Sequence, residues 1–197
     1  MRFANALAGL GVGLDNKVAI MLNNCPEFIV SYFACSFLGA VAVPVNIFYK
    51  ERELEFLLRD SDAVALVATP AFAEFFSRIE EKPPLFRHLI VTAPYPEGLL
   101  FQELEAGASS APVQAAVSED DAAEILYTSG TTGVPKGTML TQGNLFFHAD
   151  AIIQVLELAE DDRALMVVPM FHGYGITVML CCFRVGTCFV LLDPFNP

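Results

Sequence analysis

Basic residues are scarce in this sequence. Its 197 residues include 11 Lys and Arg against 23 Asp and Glu, which gives a formal net charge of -12. Binding to a phosphate backbone requires clusters of Lys and Arg, and this chain lacks them, so a nucleic acid is excluded as a partner. A smaller anionic ligand would have to meet a positive charge that is concentrated locally.

An uninterrupted apolar run long enough to cross a membrane is also missing. Residues 28–49 carry no charge and match the ~30 Å of a bilayer core in length, but Gly39, Pro44 and Asn46 interrupt them. They predict a buried helix followed by a buried strand instead. No basic segment precedes an apolar stretch at the start, as a secretory signal would require. We expect a soluble, cytoplasmic protein without a transmembrane segment, and leave peripheral contact with a membrane open.

Cysteine spacings typical of metal or redox sites are absent. The five cysteines are odd in number, stand in apolar surroundings and form no CxxC pair. We expect buried, reduced thiols rather than disulfides or metal ligands.

Apolar residues, in contrast, make up 54% of the chain, enough for a sizeable core and high for a soluble domain. Such a share is typical of a membrane protein or of a piece of something larger. Strands and helices alternate in the pattern. The predicted strands of the first half are 18–22, 41–45, 64–67 and 89–92. This alternation, with uniformly apolar strands, predicts an α/β fold of layered, mostly parallel sheets flanked by helices.

Residues 93–122 are rich in proline, glycine and serine, which predicts a linker. It would separate a first α/β lobe, 1–92, from a second, 123–197, with both lobes belonging to one incomplete domain. In the second lobe Thr141 can cap a helix. The predicted strands of this lobe are 125–128, 137–141, 165–168 and 188–192.

The stretch YTSGTTGVPKG, residues 127–137, joins two of these strands. Gly130 and Gly133 allow backbone angles closed to other residues, so successive N–H groups can point at an anion. Lys136 adds a positive charge suited to phosphate oxygens. Small hydroxyl residues add further donors: Ser129, Thr131 and Thr132. The spacing is not that of a P-loop, in which Gly-Lys opens a helix. The pattern predicts a polyphosphate clamp at the tip of a hairpin, although composition alone also fits a flexible loop.

The full string closely resembles the phosphate-binding signature of the adenylate-forming (AMP-binding) superfamily, and the chain is most similar to the amino-terminal part of fatty-acid (long-chain) acyl-CoA synthetases. The resemblance covers nearly the whole chain. It continues in order through GVGLDNKVAIMLNNCPEF, LGAVAVPVN, ERELEFLLRDS, VPMFHGYG and GTCFVLLDPFNP. It implies that a carboxylate attacks the α-phosphate of ATP to give an acyl-adenylate and pyrophosphate, after which coenzyme A displaces AMP. ATP, Mg²⁺ and coenzyme A are the implied cofactors.

The resemblance also implies site residues. His172, in the segment FH, would lie beside the reacting carboxylate, although a lone histidine in an apolar stretch is more often a core residue. Relatives that activate amino acids have FD there, with a carboxylate that can pair with the substrate ammonium group, so Phe171-His172 favours an acid without an amino group. Residues 176–183 would either line an acyl pocket or form a core helix. The implied phosphate contacts are Thr128, Ser129, Gly130, Thr131, Thr132, Gly133 and Lys136.

Several features expected of the family are not in this sequence: the glutamate that holds Mg²⁺, the ribose-binding aspartate, the hinge and the carboxy-terminal lysine. Thr138 and Gln142 stand where an aliphatic residue and a histidine or arginine are more usual. Three hypotheses stay open: part of an acyl-CoA synthetase, an inactive fragment that at most binds nucleotide or a partner subunit, and an amino-acid adenylation module. Self-association or a homo-oligomer through uncovered apolar surfaces is expected as well.

Overall fold

The computed structural model describes residues 1–128 and 135–192. The helices are α1 (Arg2–Gly9), α2 (Pro26–Leu38), α3 (Glu51–Asp60), α4 (Pro70–Ser77), α5 (Phe101–Gly107), α6 (Gln142–Leu156) and α7 (Gly173–Val185). The strands are β1 (Lys17–Met21), β2 (Val41–Pro44), β3 (Ala63–Ala68), β4 (His88–Val91), β5 (Leu99–Leu100), β6 (Ala122–Thr128), β7 (Lys136–Thr141), β8 (Arg163–Met166) and β9 (Cys188–Leu191).

Strands β1 to β7 form one sheet in the order β5-β4-β3-β1-β2-β6-β7. Neighbouring strands are parallel, except that β6 and β7 form an antiparallel hairpin. Strands β8 and β9 pair in parallel as a small second sheet. The predicted α/β fold of mostly parallel sheets flanked by helices is therefore confirmed.

Helices cover both faces of the large sheet. Because side chains alternate along each strand, every strand contributes residues to the core on each face. Val18 and Ile20 of β1 belong to the core under α1, α2 and α5, whereas Ala19 and Met21 belong to the core under α3 and α4. Strand β3 is buried along its whole length. Burial on both faces explains why these strands are continuous apolar runs in the sequence.

Helix α2 shows how local signals set the elements. It begins with Pro26 in its first turn and ends at Gly39, which adopts a left-handed φ of 65°. Strand β2 starts two residues later. The uncharged stretch 28–49 is thus a buried helix followed by a buried strand, as predicted. No helix among the described residues is long and apolar enough to cross a membrane.

The large sheet extends across the predicted linker at 93–122. Ala42 of β2 pairs with Glu124 of β6, so strands from both predicted lobes share one sheet. The linker contains β5 and α5, which the sequence analysis does not predict. Phe101 of α5 is buried and stacks on Phe3, with 4.1 Å between ring centroids. Strand β5 has only two residues, so it has no periodicity that a sequence pattern could reveal. The division of the chain into two lobes stays a prediction.

Candidate functional site

The hairpin of β6 and β7 carries the predicted phosphate clamp at its tip. Its register pairs Thr128, the last residue of β6, with Lys136, the first residue of β7, and both are exposed. Because β6 runs parallel to β2, this tip lies at the carboxyl edge of the sheet, where open α/β sheets bind ligands. The other predicted clamp residues lie outside the described residues: Ser129, Gly130, Thr131, Thr132 and Gly133.

Tyr127 anchors this hairpin just below its tip. Its hydroxyl donates a 2.6 Å hydrogen bond to Asp60 Oδ2 at the end of α3. Burial and the bond to Asp60 raise the pKa of Tyr127, so the hydroxyl keeps its proton. A Cβ added at Gly137 would lie 2.8 Å from Ile125 Cγ2 and 3.1 Å from Tyr127 Cζ. Glycine at this position therefore lets the Tyr127 ring cross the hairpin.

His172 caps the amino terminus of α7. Its ring Nδ1 accepts a 3.3 Å hydrogen bond from the Tyr174 backbone N–H. The backbone N–H of His172 donates to the Pro169 carbonyl at 3.0 Å. With Nδ1 as an acceptor, the proton of the neutral ring lies on Nε2. The exposed ring can thus donate from Nε2 to an oxygen of a bound molecule. The alternative of a buried core histidine does not fit this exposure.

Asn24 fixes the segment that leads to His172. Asn24 follows β1, and its Nδ2 donates to the Val168 carbonyl at 3.0 Å. Its Oδ1 accepts from the Met170 N–H at 2.8 Å. One side chain thus satisfies two backbone groups after β8 and ties them to the carboxyl end of a central strand.

Gly175 allows the close packing of the first turn of α7. A Cβ added at Gly175 would contact the Pro169 carbonyl oxygen and lie 2.9 Å from its carbon. A Cβ added at Gly173 would lie 3.2 Å from Leu126 Cδ1. Leu126 precedes Thr128 by two residues on the same face of β6. The fold therefore brings the start of α7, with His172, to the strand end that carries the clamp.

A large apolar cleft of about 1180 Å³ opens beside these residues. Strand β6 lines it with Glu124 and Leu126, and helix α7 lines it with Gly173, Ile176 and Val178. Ile176 also belongs to the hydrophobic core. Helix α7 therefore forms one wall of the cleft and part of the core at the same time, with Ile176 contributing to both.

Glu124 is an acidic residue buried in this cleft. It is fully buried, and its Oε2 accepts a 2.6 Å hydrogen bond from the Tyr32 hydroxyl. Burial raises the pKa of Glu124 to about 7, although the bond from Tyr32 acts in the opposite direction. Burial and the carboxylate together raise the pKa of Tyr32. The other carboxylate oxygen of Glu124, Oε1, has no hydrogen-bond partner among the described residues.

Sequence reasoning did not single out Glu124 or Asn24. The available signal for Glu124 was an acidic residue inside the otherwise apolar strand AAEILYT. In the described part of the chain, no three His, Cys, Asp or Glu side chains gather as metal ligands. The five cysteines are free thiols, as predicted, but Cys25 is only half-buried and Cys188 is exposed rather than buried.

Comparison with known proteins agrees with this arrangement. A family model described as AMP-binding enzyme matches residues 1–197. The crotonobetaine/carnitine–CoA ligase of Shigella flexneri serotype 5b (strain 8401) is 35% identical over 205 residues, which cover 99% of this chain and 40% of the relative. The ligase of the same name from Salmonella paratyphi A is also 35% identical, over 99% of this chain and 39% of its own length. The chain thus spans about 40% of the length of these relatives.

Solved structures show the same fold. The anthranilate CoA ligase AuaEII in complex with anthranoyl-AMP superposes with a TM-score of 0.93 at 29% identity, over 99% of this chain and 38% of that one. A putative long-chain-fatty-acid CoA ligase from Rhodopseudomonas palustris CGA009 superposes with a TM-score of 0.91 at 27% identity, over 100% of this chain and 49% of that one. With the family model matching its entire length, the chain belongs to the AMP-binding enzyme family, as a resemblance to the amino-terminal part of an acyl-CoA ligase predicts.

Proposed function

We propose that this chain contributes the ATP-phosphate clamp and the acid-binding cleft of an ATP-dependent carboxylic acid:CoA ligase. In the first step a carboxylate oxygen attacks the α-phosphorus of ATP and pyrophosphate leaves. In the second step the coenzyme A thiol attacks the acyl carbon, losing its proton, and AMP leaves. The observation that carries the proposal is the meeting of three features at one sheet edge: the Thr128–Lys136 hairpin, His172 and the apolar cleft.

Each residue has a distinct role in this proposal. Thr128 and Lys136, with the loop between them, hold the β- and γ-phosphates, where Lys136 offsets negative charge. His172 donates from Nε2 to the substrate carboxylate and orients it towards the α-phosphate. Such transfer depends on positioning and charge neutralisation. Mg²⁺ would offset further phosphate charge, and we expect its ligands outside these residues.

We further propose that the acid is a medium- or long-chain fatty acid. The cleft beside His172 has a volume of about 1180 Å³, and its walls on α7 are largely apolar, which suits an acyl chain. Phe171-His172 supplies no carboxylate for an α-ammonium group, which disfavours amino acids. The relatives and structural neighbours are named for crotonobetaine and carnitine, anthranilate and long-chain fatty acids, so the family accommodates several acids.

Acid-dependent release of pyrophosphate by the intact protein tests this function. Octanoate, palmitate, benzoate, acetate and an amino acid would be compared at equal concentrations with ATP and coenzyme A. We expect the highest kcat/KM with one of the two fatty acids. A preference for the amino acid would overturn the substrate assignment, and release with none of the acids would overturn the ligase proposal itself.

A further inference from the structure

One oxygen of the Glu124 carboxylate is unused in the cleft. The Tyr32 hydroxyl fixes Oε2 at 2.6 Å, while Oε1 has no hydrogen-bond partner among the described residues. The residue is fully buried and lines the cleft. A buried carboxylate oxygen without a donor is costly, and most such groups in proteins are satisfied. A hydrogen-bond donor on a bound molecule would satisfy this oxygen.

Glu124 lies deeper in the cleft than the candidate reaction site. Glu124, Leu126 and Thr128 share one face of β6, since side chains alternate along a strand. Leu126 lies under Gly173, next to His172. Two residues of a strand span about 7 Å, so Glu124 lies roughly that far beyond the level of His172. A bound acid with its carboxylate at His172 would direct its chain towards Glu124.

The surroundings of Glu124 leave few other donors. Among the residues that line this cleft, the Thr177 and Thr187 hydroxyls and the Cys181 thiol already donate to backbone carbonyls, and Cys182 has only a weakly donating thiol. The other side chains there that can carry a charge, besides Glu124 itself, are His148, Asp162, Arg163 and Tyr174. All four are exposed, whereas Glu124 is buried. Leu126 and Ile176 also line the cleft and present apolar side chains. A polar group on the substrate chain is thus the donor best placed to reach Oε1.

We propose that Glu124 is a specificity-determining residue that selects fatty acids carrying a hydroxyl group partway along or near the end of the chain. The hydroxyl donates its hydrogen bond to Oε1 while Tyr32 holds Oε2. This inference rests on the proposed acid:CoA ligase function and deepens it by naming the substrate class. An acid with a plain methylene chain would leave Oε1 unpaired, and a site built for a hydroxyl discriminates strongly against such an analogue.

Three eight-carbon acids test this inference on the intact protein: octanoate, 7-hydroxyoctanoate and 7-oxooctanoate. The hydroxyl donates a hydrogen bond, whereas the ketone of nearly the same shape only accepts one. Dissociation constants from calorimetry and kcat/KM from pyrophosphate release would be measured at pH 8. We expect the wild-type protein to prefer 7-hydroxyoctanoate at least tenfold over both other acids, as one hydrogen bond to a charged group implies.

Two variants separate selection from a merely structural role. Glu124→Gln retains an oxygen for Tyr32 and presents an amide N–H₂ to the cleft, so 7-oxooctanoate should gain at least tenfold relative to the wild-type protein. Glu124→Leu removes both oxygens, and octanoate should then bind best. Circular dichroism would confirm that both variants are folded.

The measurements distinguish a failure of the Glu124 role from a failure of the proposed ligase function. Equal kcat/KM for the three acids in the wild-type protein would overturn the role of Glu124 and leave the ligase intact. Equal losses for all three acids in Glu124→Gln would do the same, because they indicate structural damage only. Absence of pyrophosphate release with every acid would overturn the ligase, whereas the order of dissociation constants would still decide the role of Glu124.

Discussion

Lys136 carries the positive charge of the predicted phosphate clamp in a chain with a net charge of -12. In the intact protein we expect Lys136→Ala to raise the KM for ATP by tens-fold, since a charge-assisted contact contributes ~1.5–3 kcal/mol. Pyrophosphate release at varied ATP concentration measures this KM. Lys17→Ala is the matched control, because Lys17 begins β1 at the opposite edge of the sheet. Unchanged ATP kinetics in Lys136→Ala would mean that this lysine is only a loop residue.

Glu124 should make the stability of the protein depend on pH. Its pKa is raised from 4.5 to about 7 by burial, so the folded state holds a proton that the unfolded state releases between these values. The free energy of unfolding should therefore fall as pH rises from 4.5 to 7 and level off above 7. The full change is about 3 kcal/mol, because each tenfold change in proton affinity corresponds to about 1.4 kcal/mol.

Urea unfolding at pH 5 and pH 8 measures this effect as the difference between wild-type protein and Glu124→Gln. The variant lacks the titrating group, so the free energy of unfolding of the wild-type protein should fall relative to that of Glu124→Gln as the pH rises. A difference that stays constant from pH 5 to pH 8 would show that Glu124 titrates at the same pKa in both states.

For single residues, the sequence predicts which side chains take part in binding better than it predicts which side chains lie in contact in the fold. Thr128, Lys136 and His172 are recognisable because their motifs are local strings. Glu124 is not, since its bond to Tyr32 joins residues 92 positions apart. Whether a carboxylate is buried with one free oxygen depends on tertiary packing, which no local pattern records.

Among the elements, the first turn of α7 packs too closely to accept a Cβ at position 175. Gly175→Ala should lower the free energy of unfolding by ~1–3 kcal/mol, because the new Cβ meets backbone atoms of Pro169 and Met170 rather than a side chain that can move. Urea denaturation measures the loss. Gly9→Ala is the control, since nothing lies within 4 Å of a Cβ at Gly9 in α1. Equal stability of the two variants would contradict the close packing described for α7.

Elements with clear local signals were predictable. Thr141 caps α6 by accepting a 3.2 Å hydrogen bond from the Asn144 N–H, as predicted. The predicted strand at 165–168 is observed as β8 (Arg163–Met166), because Asn24 rather than a neighbouring strand satisfies the backbone at Val168 and Met170. The pairing of β2 with β6 joins residues more than 80 positions apart, and apolar periodicity does not specify which strands become neighbours.

At the scale of the whole molecule, the second half of the chain exposes apolar side chains. Phe147 and Val155 of α6 are 79% and 77% exposed, and uncovered apolar patches favour association. We expect a polypeptide ending at Pro197 to self-associate, with an apparent mass in sedimentation that rises with concentration. Phe147→Ser with Val155→Ser should lower that mass, whereas Leu85→Ser, at a 52% exposed site in the first half, should not. A concentration-independent monomer would contradict the prediction.

The same polypeptide should not form an adenylate by itself. It spans about 40% of the length of its relatives, and transition-state charge must be met by groups that are preorganised around it. We expect no acid-dependent exchange of labelled pyrophosphate into ATP by residues 1–197. Robust exchange would show that these residues hold a complete site.

We propose that the intact protein activates a fatty acid as its adenylate before coenzyme A takes part. Exchange of labelled pyrophosphate into ATP, measured with octanoate and without coenzyme A, tests this order most directly. We expect exchange that depends on octanoate and falls sharply in Lys136→Ala. Exchange that occurs only when coenzyme A is added, or none with any carboxylic acid, would contradict it.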